Sequence, residues 1–255
     1  MIHFRKTHTL AAICSFLLIS SNAFSADSSA DLLGTALLHG DRPQADIADD
    51  GRRMPLEVLS FAGISKGMSI LELEAGNGYY TEILSRTVGA SGNVIMQNPA
   101  VFDGFFGEGV IIRLADNRLP NVRLSNAEFD ALDVPDNSLD MVTWILGPHE
   151  LWWSPQENVS LGNPGKAFEE IARVLKPGGV FLAVDHIAES SAEPEVGGTL
   201  HRIGEGIITN LAEDAGLSIL RSSNLHKNAE DPLNNSVFDE SIQGRTSKFV
   251  TLYRK

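Results

Sequence analysis

A turn between a predicted strand and a predicted helix carries the residues best suited to bind a ligand. Apolar residues lead to Glu72 and Leu73, and Glu74-Ala75-Gly76-Asn77-Gly78 follows before a helical pattern begins. Glycines let the backbone approach a ligand closely, and the first turn of a helix offers unpaired N–H groups and a positive dipole end. Open α/β sheets bind ligands at such turns, so we expect a site here, although a ligand-free turn would share the pattern.

Two common nucleotide-binding motifs do not fit this turn. A dinucleotide fingerprint requires a third glycine where Thr81 stands, and an acid after the second strand, where Gln97 and Asn98 stand. A P-loop requires a Gly-Lys-Ser/Thr run, which does not follow the turn. These departures count against NAD, FAD and a P-loop nucleotide.

Histidine and carboxylate residues follow two later strands. His149 and Glu150 come after the strand predicted at 141–146, and Asp185 and His186 end the strand predicted at 180–185. A histidine oriented by a carboxylate is a suitable general base, so we predict His149, Glu150 and His186 as catalytic residues. The alternative is structural: Glu150 would begin a helix and Asp185 would cap the next segment.

Other polar and aromatic residues give weaker indications. Arg202 would hold an acidic substrate or form a surface ion pair, and the 226–245 stretch is long enough to fold over the site. An apolar pocket is a further possibility, formed by Phe102, Phe105, Phe106, Trp144, Trp152 and Trp153.

No metal site is predicted. His149, Glu150, His186 and His201 lack a compact spacing such as His-Glu-x-x-His. A site assembled from separate loops is the alternative, and the spacing gives it no support.

Alternating strand and helix patterns place these residues on an α/β fold. Helical patterns separate several of the strands, which indicates a mostly parallel sheet covered by helices on both faces. No helical pattern precedes the last strand, which we therefore expect to run antiparallel. The predicted strands are Ser69–Leu73, Asn93–Gln97, Val122–Ser125, Met141–Leu146, Val180–Asp185, Ser218–Ser222 and Lys248–Tyr253.

The chain resembles the class I methyltransferases that use S-adenosylmethionine (SAM), over roughly residues 56–255. The matching motifs, in the family's order, are Glu72 at the end of the first strand, Gly76-Asn77-Gly78 in the loop, Ala127-Glu128-Phe129, Val134 to Val142 before the fourth strand and Leu175 to Val180 before the fifth. The resemblance implies a three-layer, Rossmann-like fold with seven strands and SAM as methyl donor. It also implies that Glu72 holds the amino end of SAM and that Glu128 and Phe129 contact its adenine, so the implied cofactor-binding residues are Glu72, Gly76, Asn77, Gly78, Asn98, Glu128 and Phe129.

Two residues depart from the family pattern. Glu74 stands at the first glycine of the loop, where a carboxylate would repel the carboxylate of SAM or pair with its amino group. Asn98 or Gln97 stands where an acid usually binds both ribose hydroxyls, and an amide accepts such bonds less strongly than a charged group.

A narrower resemblance joins the chain to a branch of exported bacterial methyltransferase-like proteins that are themselves assigned by fold. The motifs concerned are His149-Glu150-Leu151, Asp185-His186, Leu200-His201-Arg202-Ile203 and Ser236-Val237-Phe238-Asp239. This branch implies nothing about the substrate.

The N-terminal sequence predicts export. Residues 1–26 combine Arg5 and Lys6, an apolar run from Thr9 to Ser20 and a small-residue exit, which is typical of a cleaved signal peptide. We therefore expect a periplasmic or secreted protein without stable membrane insertion, with an extension at 27–50 and a methyltransferase-like domain at 51–255. Cys14 is the only cysteine, so the mature chain would lack disulfides and thiolate sites.

Composition and net charge limit the classes of molecule that this protein is expected to bind. The chain has 255 residues, 43% hydrophobic and 21% charged, and a net charge of −13. Such a charge repels nucleic acid, so we predict a small-molecule substrate and leave the oligomeric state open. The predicted function is methyl transfer from SAM to an unidentified small molecule. The alternative is a binding protein that retains the fold without catalysis, as Glu74, Asn98 and the compartment suggest.

Overall fold

Seven strands form one sheet in the computed structural model, which describes Met1 and residues 26–255; nearly all of the predicted signal peptide lies outside them. The strands follow the order β3-β2-β1-β4-β5-β7-β6, and all neighbours are parallel except β7, which is antiparallel to β5 and β6. The strands are β1 Ser69–Leu73, β2 Asn93–Gln97, β3 Val122–Ser125, β4 Leu139–Ile145, β5 Leu175–His186, β6 Ser218–Ser223 and β7 Lys248–Arg254. The predicted mostly parallel sheet with an antiparallel last strand is confirmed.

Helices cover both faces of the sheet. Successive residues of a strand point to opposite faces, so Ile70 of β1 packs into one core and Leu71 into the other. The helices are α1 Ala26–Leu37, α2 Gln44–Arg53, α3 Pro55–Ala62, α4 Tyr79–Val88, α5 Asp103–Leu114, α6 Pro164–Val174, α7 Gly197–Leu200 and α8 Glu205–Asp214. Side chains of α1, α3 and α4 join the first core, and side chains of α6 and α8 join the second, which gives the three-layer arrangement.

The first two helices are tied to the sheet. Leu33 of α1 is fully buried in the core. α2 buries none of its residues but is held by charges: Asp50 pairs with Arg42 at 2.7 Å and accepts a hydrogen bond from the Tyr79 hydroxyl at 2.6 Å. α2 therefore lies beside the turn between β1 and α4. The domain boundaries at residues 26 and 50 stay predictions.

The loop before β7 is anchored by a buried ion pair. Arg202 is fully buried and pairs with Asp231 at 2.9 Å, so the sequence expectation of a surface ion pair or substrate contact is wrong for this arginine. Phe238 of the same loop lies with its ring 5.0 Å from the ring of His201. Within residues 26–255, no helix has both the length and the apolar character needed to cross a bilayer.

Candidate active site

Glu72 is a buried carboxyl at the end of β1. It is 4% exposed and accepts a hydrogen bond from the Thr81 hydroxyl of α4. Burial raises the pKa of Glu72 to about 8, because the Thr81 bond and the charge of Arg113 only partly offset the loss of hydration. At neutral pH the carboxyl is therefore largely protonated, and a cation placed beside it would favour ionisation.

The turn after Glu72 is shaped by left-handed backbone. Gly76 and Gly78 have φ of +57° and +79°, and Glu74 takes φ of +52° at the position where the family has its first glycine. A Cβ at Gly78 would lie 3.0 Å from Arg113 and Met96, so this glycine serves packing below the turn. The side chain of α5 residue Arg113 donates to the Asn77 carbonyl at 2.9 Å, which fixes the turn from its outer side.

The Glu74 side chain points inward across the sheet edge. Its carboxyl accepts a hydrogen bond of 3.0 Å from the Trp144 indole at the end of β4. Burial raises the pKa of Glu74 well above its usual range, and the nearby charge of Glu150 raises it further. A protonated Glu74 would not repel the carboxylate of a ligand in the turn.

The amides after β2 fasten the turn instead of facing a cavity freely. Gln97 accepts from the Glu74 peptide N–H at 2.9 Å and donates to the Ala127 carbonyl. Asn98 accepts from the Gly76 peptide N–H at 2.8 Å and donates to the Gly76 carbonyl at 3.0 Å. Asn98 is 2% exposed, so little of its amide remains for a ribose hydroxyl.

A cavity of about 400 Å³, here called the loop cavity, opens beside this turn. Its lining includes Arg53 of α2, Glu72, Gly76, Asn77 and Leu146. Asp46, Asp49, Glu74 and Arg113 also line it, so the cavity has four carboxyl groups and two guanidinium groups beside the start of α4. The carboxyl groups suit an ammonium, and the guanidinium groups and the helix start suit a carboxylate.

A second cavity of about 310 Å³, the outer cavity, lies between the ends of β2 and β3 and helix α5. Asn98, Asn126, Leu124 and Phe106 line it. Phe106 also lines the loop cavity, and its ring lies about 3.8 Å from where a Cβ of Gly76 would be. The ring of Phe106 therefore separates the two cavities.

The two residues expected at the adenine have side chains outside both cavities. The Phe129 ring is fully buried, 4.7 Å from the Trp144 ring, so any ligand contact of Phe129 would have to use its backbone. Glu128 lines a separate surface pocket beside Asp130 and Asn163. Neither side chain lines the loop cavity or the outer cavity.

His149, Asp185, Glu150 and His201 form one cluster at the ends of β4 and β5. Asp185 accepts from the His149 peptide N–H at 2.7 Å and contacts its Nδ1 at 2.8 Å. His149 Nε2 lies 3.3 Å from Glu150 Oε1 and 3.2 Å from His201 Nδ1. Burial lowers the pKa of His149, but the charges of Asp185 and Glu150 outweigh it and raise the pKa to about 10.

His186 lies beside this cluster but does not join its hydrogen bonds. Its ring is 6.2 Å from the His149 ring, and its Nδ1 lies 2.7 Å from the Thr246 hydroxyl. Burial and the charge of Lys248 lower the pKa of His186 well below its usual range. His186 is therefore neutral at neutral pH, whereas His149 is protonated.

Sequence reasoning missed Arg53, which lines the loop cavity because α2 lies over the turn. The basic end of α2, Arg52-Arg53, was the only sequence signal for it. His201 was considered only as a ligand of an unsupported metal site, and the structure places its Nδ1 3.2 Å from His149 Nε2 across 52 residues of sequence.

Part of the chain is similar to known methyltransferases. Residues 71–183 match the family model described as "Methyltransferase domain". The ubiquinone/menaquinone biosynthesis C-methyltransferase UbiE of Hydrogenovibrio crunogenus is 33% identical over 135 residues, which are 50% of this chain and 45% of that protein. The chain thus spans about half the length of this relative.

Solved structures share the fold. A SAM-dependent methyltransferase from Aquifex aeolicus superposes with a TM-score of 0.57 at 21% identity, covering 91% of this chain and 98% of its own. The [4+2]-cyclase SpnF superposes with the same TM-score at 17% identity, covering 80% and 81%. Since SpnF is a cyclase by name, likeness of fold alone does not establish which reaction a protein catalyses.

Proposed function

Because residues 71–183 of this chain match a methyltransferase domain family, we propose that the protein transfers the methyl group of SAM to a small molecule. The observation that carries the proposal is the loop cavity, where the buried carboxyl of Glu72 meets a glycine turn and the start of α4. The acidic chain, with its net charge of −13, favours a small acceptor over nucleic acid.

The loop cavity fits the amino-acid end of SAM. Glu72 would hold the ammonium, and Arg53, which also pairs with Asp49 at 3.2 Å, would hold the carboxylate. Burial raises the pKa of Glu74, which weakens one repulsion that the sequence suggested. At the ribose the fit is poorer, because both amide atoms of Asn98 are bonded to Gly76.

The adenosine end would occupy the outer cavity. Asn126 and Leu124 offer a polar and an apolar wall there. SAM would have to extend from one cavity to the other, so Phe106 would have to swing away from Gly76 when it binds. Asn77 and Gly78 would then shape the turn from below.

SAM supplies a methyl carbon that its sulfonium already activates, so the protein has mainly to align donor and acceptor. We assign His149, Glu150 and His186 to the acceptor side, beyond the ends of β4 and β5. Where the acceptor loses a proton, neutral His186 would take it, since His149 is already protonated.

A second candidate is a binding protein without catalysis. The paired amide of Asn98 and the ring of Phe106 between the cavities favour it, because both hinder a bound adenosine. Such a protein would hold a smaller ligand in the loop cavity alone.

Export is part of the proposal. The signal-like residues 1–26 support a periplasmic or secreted protein. Cell fractionation with a C-terminal tag tests this: recovery of the full-length chain in the cytoplasm would contradict it.

Product formation separates the two candidates. The protein is incubated with SAM and the small-molecule fraction of a cell extract, and S-adenosylhomocysteine is measured by mass spectrometry. Formation that depends on the extract and is lost in Glu72→Gln supports the enzyme. A protein that neither binds SAM at millimolar concentration nor yields product with any fraction supports the second candidate. Glu240→Gln at an exposed carboxylate is the matched control.

A further inference from the structure

We propose that His149, Glu150 and His201 form a binding site for a divalent transition-metal ion such as Zn²⁺. The sequence separates His201 from the other two by about fifty residues, and its spacing predicts no metal site. The loop after β5 brings His201 back to the end of β4, so the three side chains meet. The site shares His149 and Glu150 with the proposed acceptor side, but the argument for an ion does not rest on the proposed methyl transfer.

The three ligand atoms already have the spacing of a metal-binding triangle. His149 Nε2, His201 Nδ1 and Glu150 Oε1 are separated by 3.2, 3.3 and 3.4 Å. Tetrahedral Zn²⁺ with bonds of about 2.0–2.1 Å places neighbouring ligand atoms about 3.3 Å apart. An ion could therefore enter the triangle with little movement of the side chains, and its bond to Nε2 would release the proton of His149 to solvent.

Asp185 orients the first ligand. It contacts His149 Nδ1 at 2.8 Å, which leaves Nε2 as the ring atom that faces the triangle. A carboxylate on the far nitrogen of a metal-bound histidine fixes the tautomer and raises the basicity of the ring. Asp185 is completely buried, so this contact is shielded from water.

Charge and an unpaired atom point to a cation. Within residues 26–255, no lysine or arginine forms an ion pair with Glu150 or Asp185, so two carboxylates have only histidine partners. Glu150 is 9% exposed, and its Oε2 is buried without a hydrogen-bond partner in the described structure. A second carboxylate oxygen of this kind can complete the coordination of an ion held by Oε1.

The backbone of His201, the third ligand, has a strained conformation. His201 has φ of +53°, a left-handed conformation that costs energy for a residue other than glycine. The Phe238 ring covers His201 from outside, and His201 keeps some exposure, so the site has a path to solvent. Two imidazoles and one carboxylate favour Zn²⁺ or Co²⁺ over Mg²⁺ or Ca²⁺.

Metal titration of the chelator-treated protein tests the proposal. Calorimetry with Zn²⁺ should give one ion per chain, and Co²⁺ should produce the intense visible absorption of four-coordinate nitrogen and oxygen ligation. Affinity should fall at least about 100-fold in Glu150→Gln and His201→Asn, and about 10- to 100-fold in Asp185→Asn. His39→Asn, at a partly exposed histidine in the loop after α1, is the control that should bind as the parent does.

The parent protein supplies a readout that needs no variant. Zn²⁺ should shift the ring NMR signals of His149 and His201 and leave those of His39 unchanged. Failure of the parent to take up Zn²⁺ or Co²⁺ at millimolar concentration would overturn the proposal, as would full-affinity binding in folded Glu150→Gln. Methyl transfer enters none of these measurements, so its failure would leave their outcome unaffected.

Discussion

Replacing Glu72 by glutamine should stabilise the protein at neutral pH while removing its cofactor contact. Glu72 is buried, and its pKa rises from 4.5 to about 8 in the folded chain. Between these two values the folded protein keeps a proton that the unfolded chain has lost. The free energy of unfolding therefore falls as pH rises, by about 1.4 kcal/mol per pH unit, and this loss ends once pH passes the folded pKa.

The size of the effect follows from the pH range between the unfolded and folded pKa values of Glu72. From pH 5.5 to 7.5 the Glu72 carboxyl should lower the free energy of unfolding by about 2.7 kcal/mol, and glutamine has no proton to lose. Other groups also contribute to the pH dependence, but they are shared by parent and variant and cancel in the difference. The stability of Glu72→Gln relative to the parent should thus rise by about 2.7 kcal/mol over this range.

Urea denaturation of both proteins at the two pH values measures this difference. The exposed-site variant Glu240→Gln should follow the parent. Parallel pH dependence in the parent and Glu72→Gln would refute the reasoning, because it would mean that Glu72 ionises as easily in the folded chain as in the unfolded one. A more stable variant that no longer binds SAM would show that Glu72 is kept for binding at a cost in stability.

Three further substitutions test other contacts. Asn98→Asp provides a charged acceptor for the ribose, so calorimetry should show SAM affinity rising about tenfold. Urea denaturation should show the free energy of unfolding falling by about 1 kcal/mol, because the hydrogen bond to the Gly76 carbonyl is lost. Unchanged affinity would mean that the ribose does not reach this residue. Phe106→Ala joins the two cavities and should speed SAM association in stopped-flow experiments, and a slower rate would contradict the separating role of the ring. Arg202→Leu leaves Asp231 buried without its partner and should lower the free energy of unfolding by about 3–5 kcal/mol in urea denaturation. Adding Asp231→Asn should restore part of this loss. A loss below about 1 kcal/mol would show that the pair is not buried in solution.

The strands were predictable because their residues must face two covered cores. β1 and β2 have the bounds that the apolar runs predict, and four of the five residues in each are buried. β3 also has the predicted bounds, but it lies at the sheet edge and its middle residues Arg123 and Leu124 are exposed. The Lys176-Pro177-Gly178 turn was predictable for a local reason too, since Gly178 has the φ of +82° that such a turn requires. β5 begins earlier than predicted because the ladder with β4 already includes Leu175.

The site was less predictable because its contacts join distant residues. Nothing local indicates that the Asn98 amide closes on Gly76 or that Glu74 points to Trp144. The contact between His201 and His149 depends on how the segment after β5 folds back. Phe129 matched a family motif in sequence, yet its ring fills the core, because a motif specifies the backbone path more strongly than the direction of each side chain.

Calorimetric titration of SAM into the mature protein tests the central claim, that the cavity beside Glu72 and Gly76 binds the cofactor. We expect micromolar binding that is lost in Glu72→Gln and in Gly76→Val, whose side chain would be strained at φ of +57° and directed toward Phe106. Absence of heat at millimolar SAM, with the protein folded by circular dichroism, would contradict the assignment.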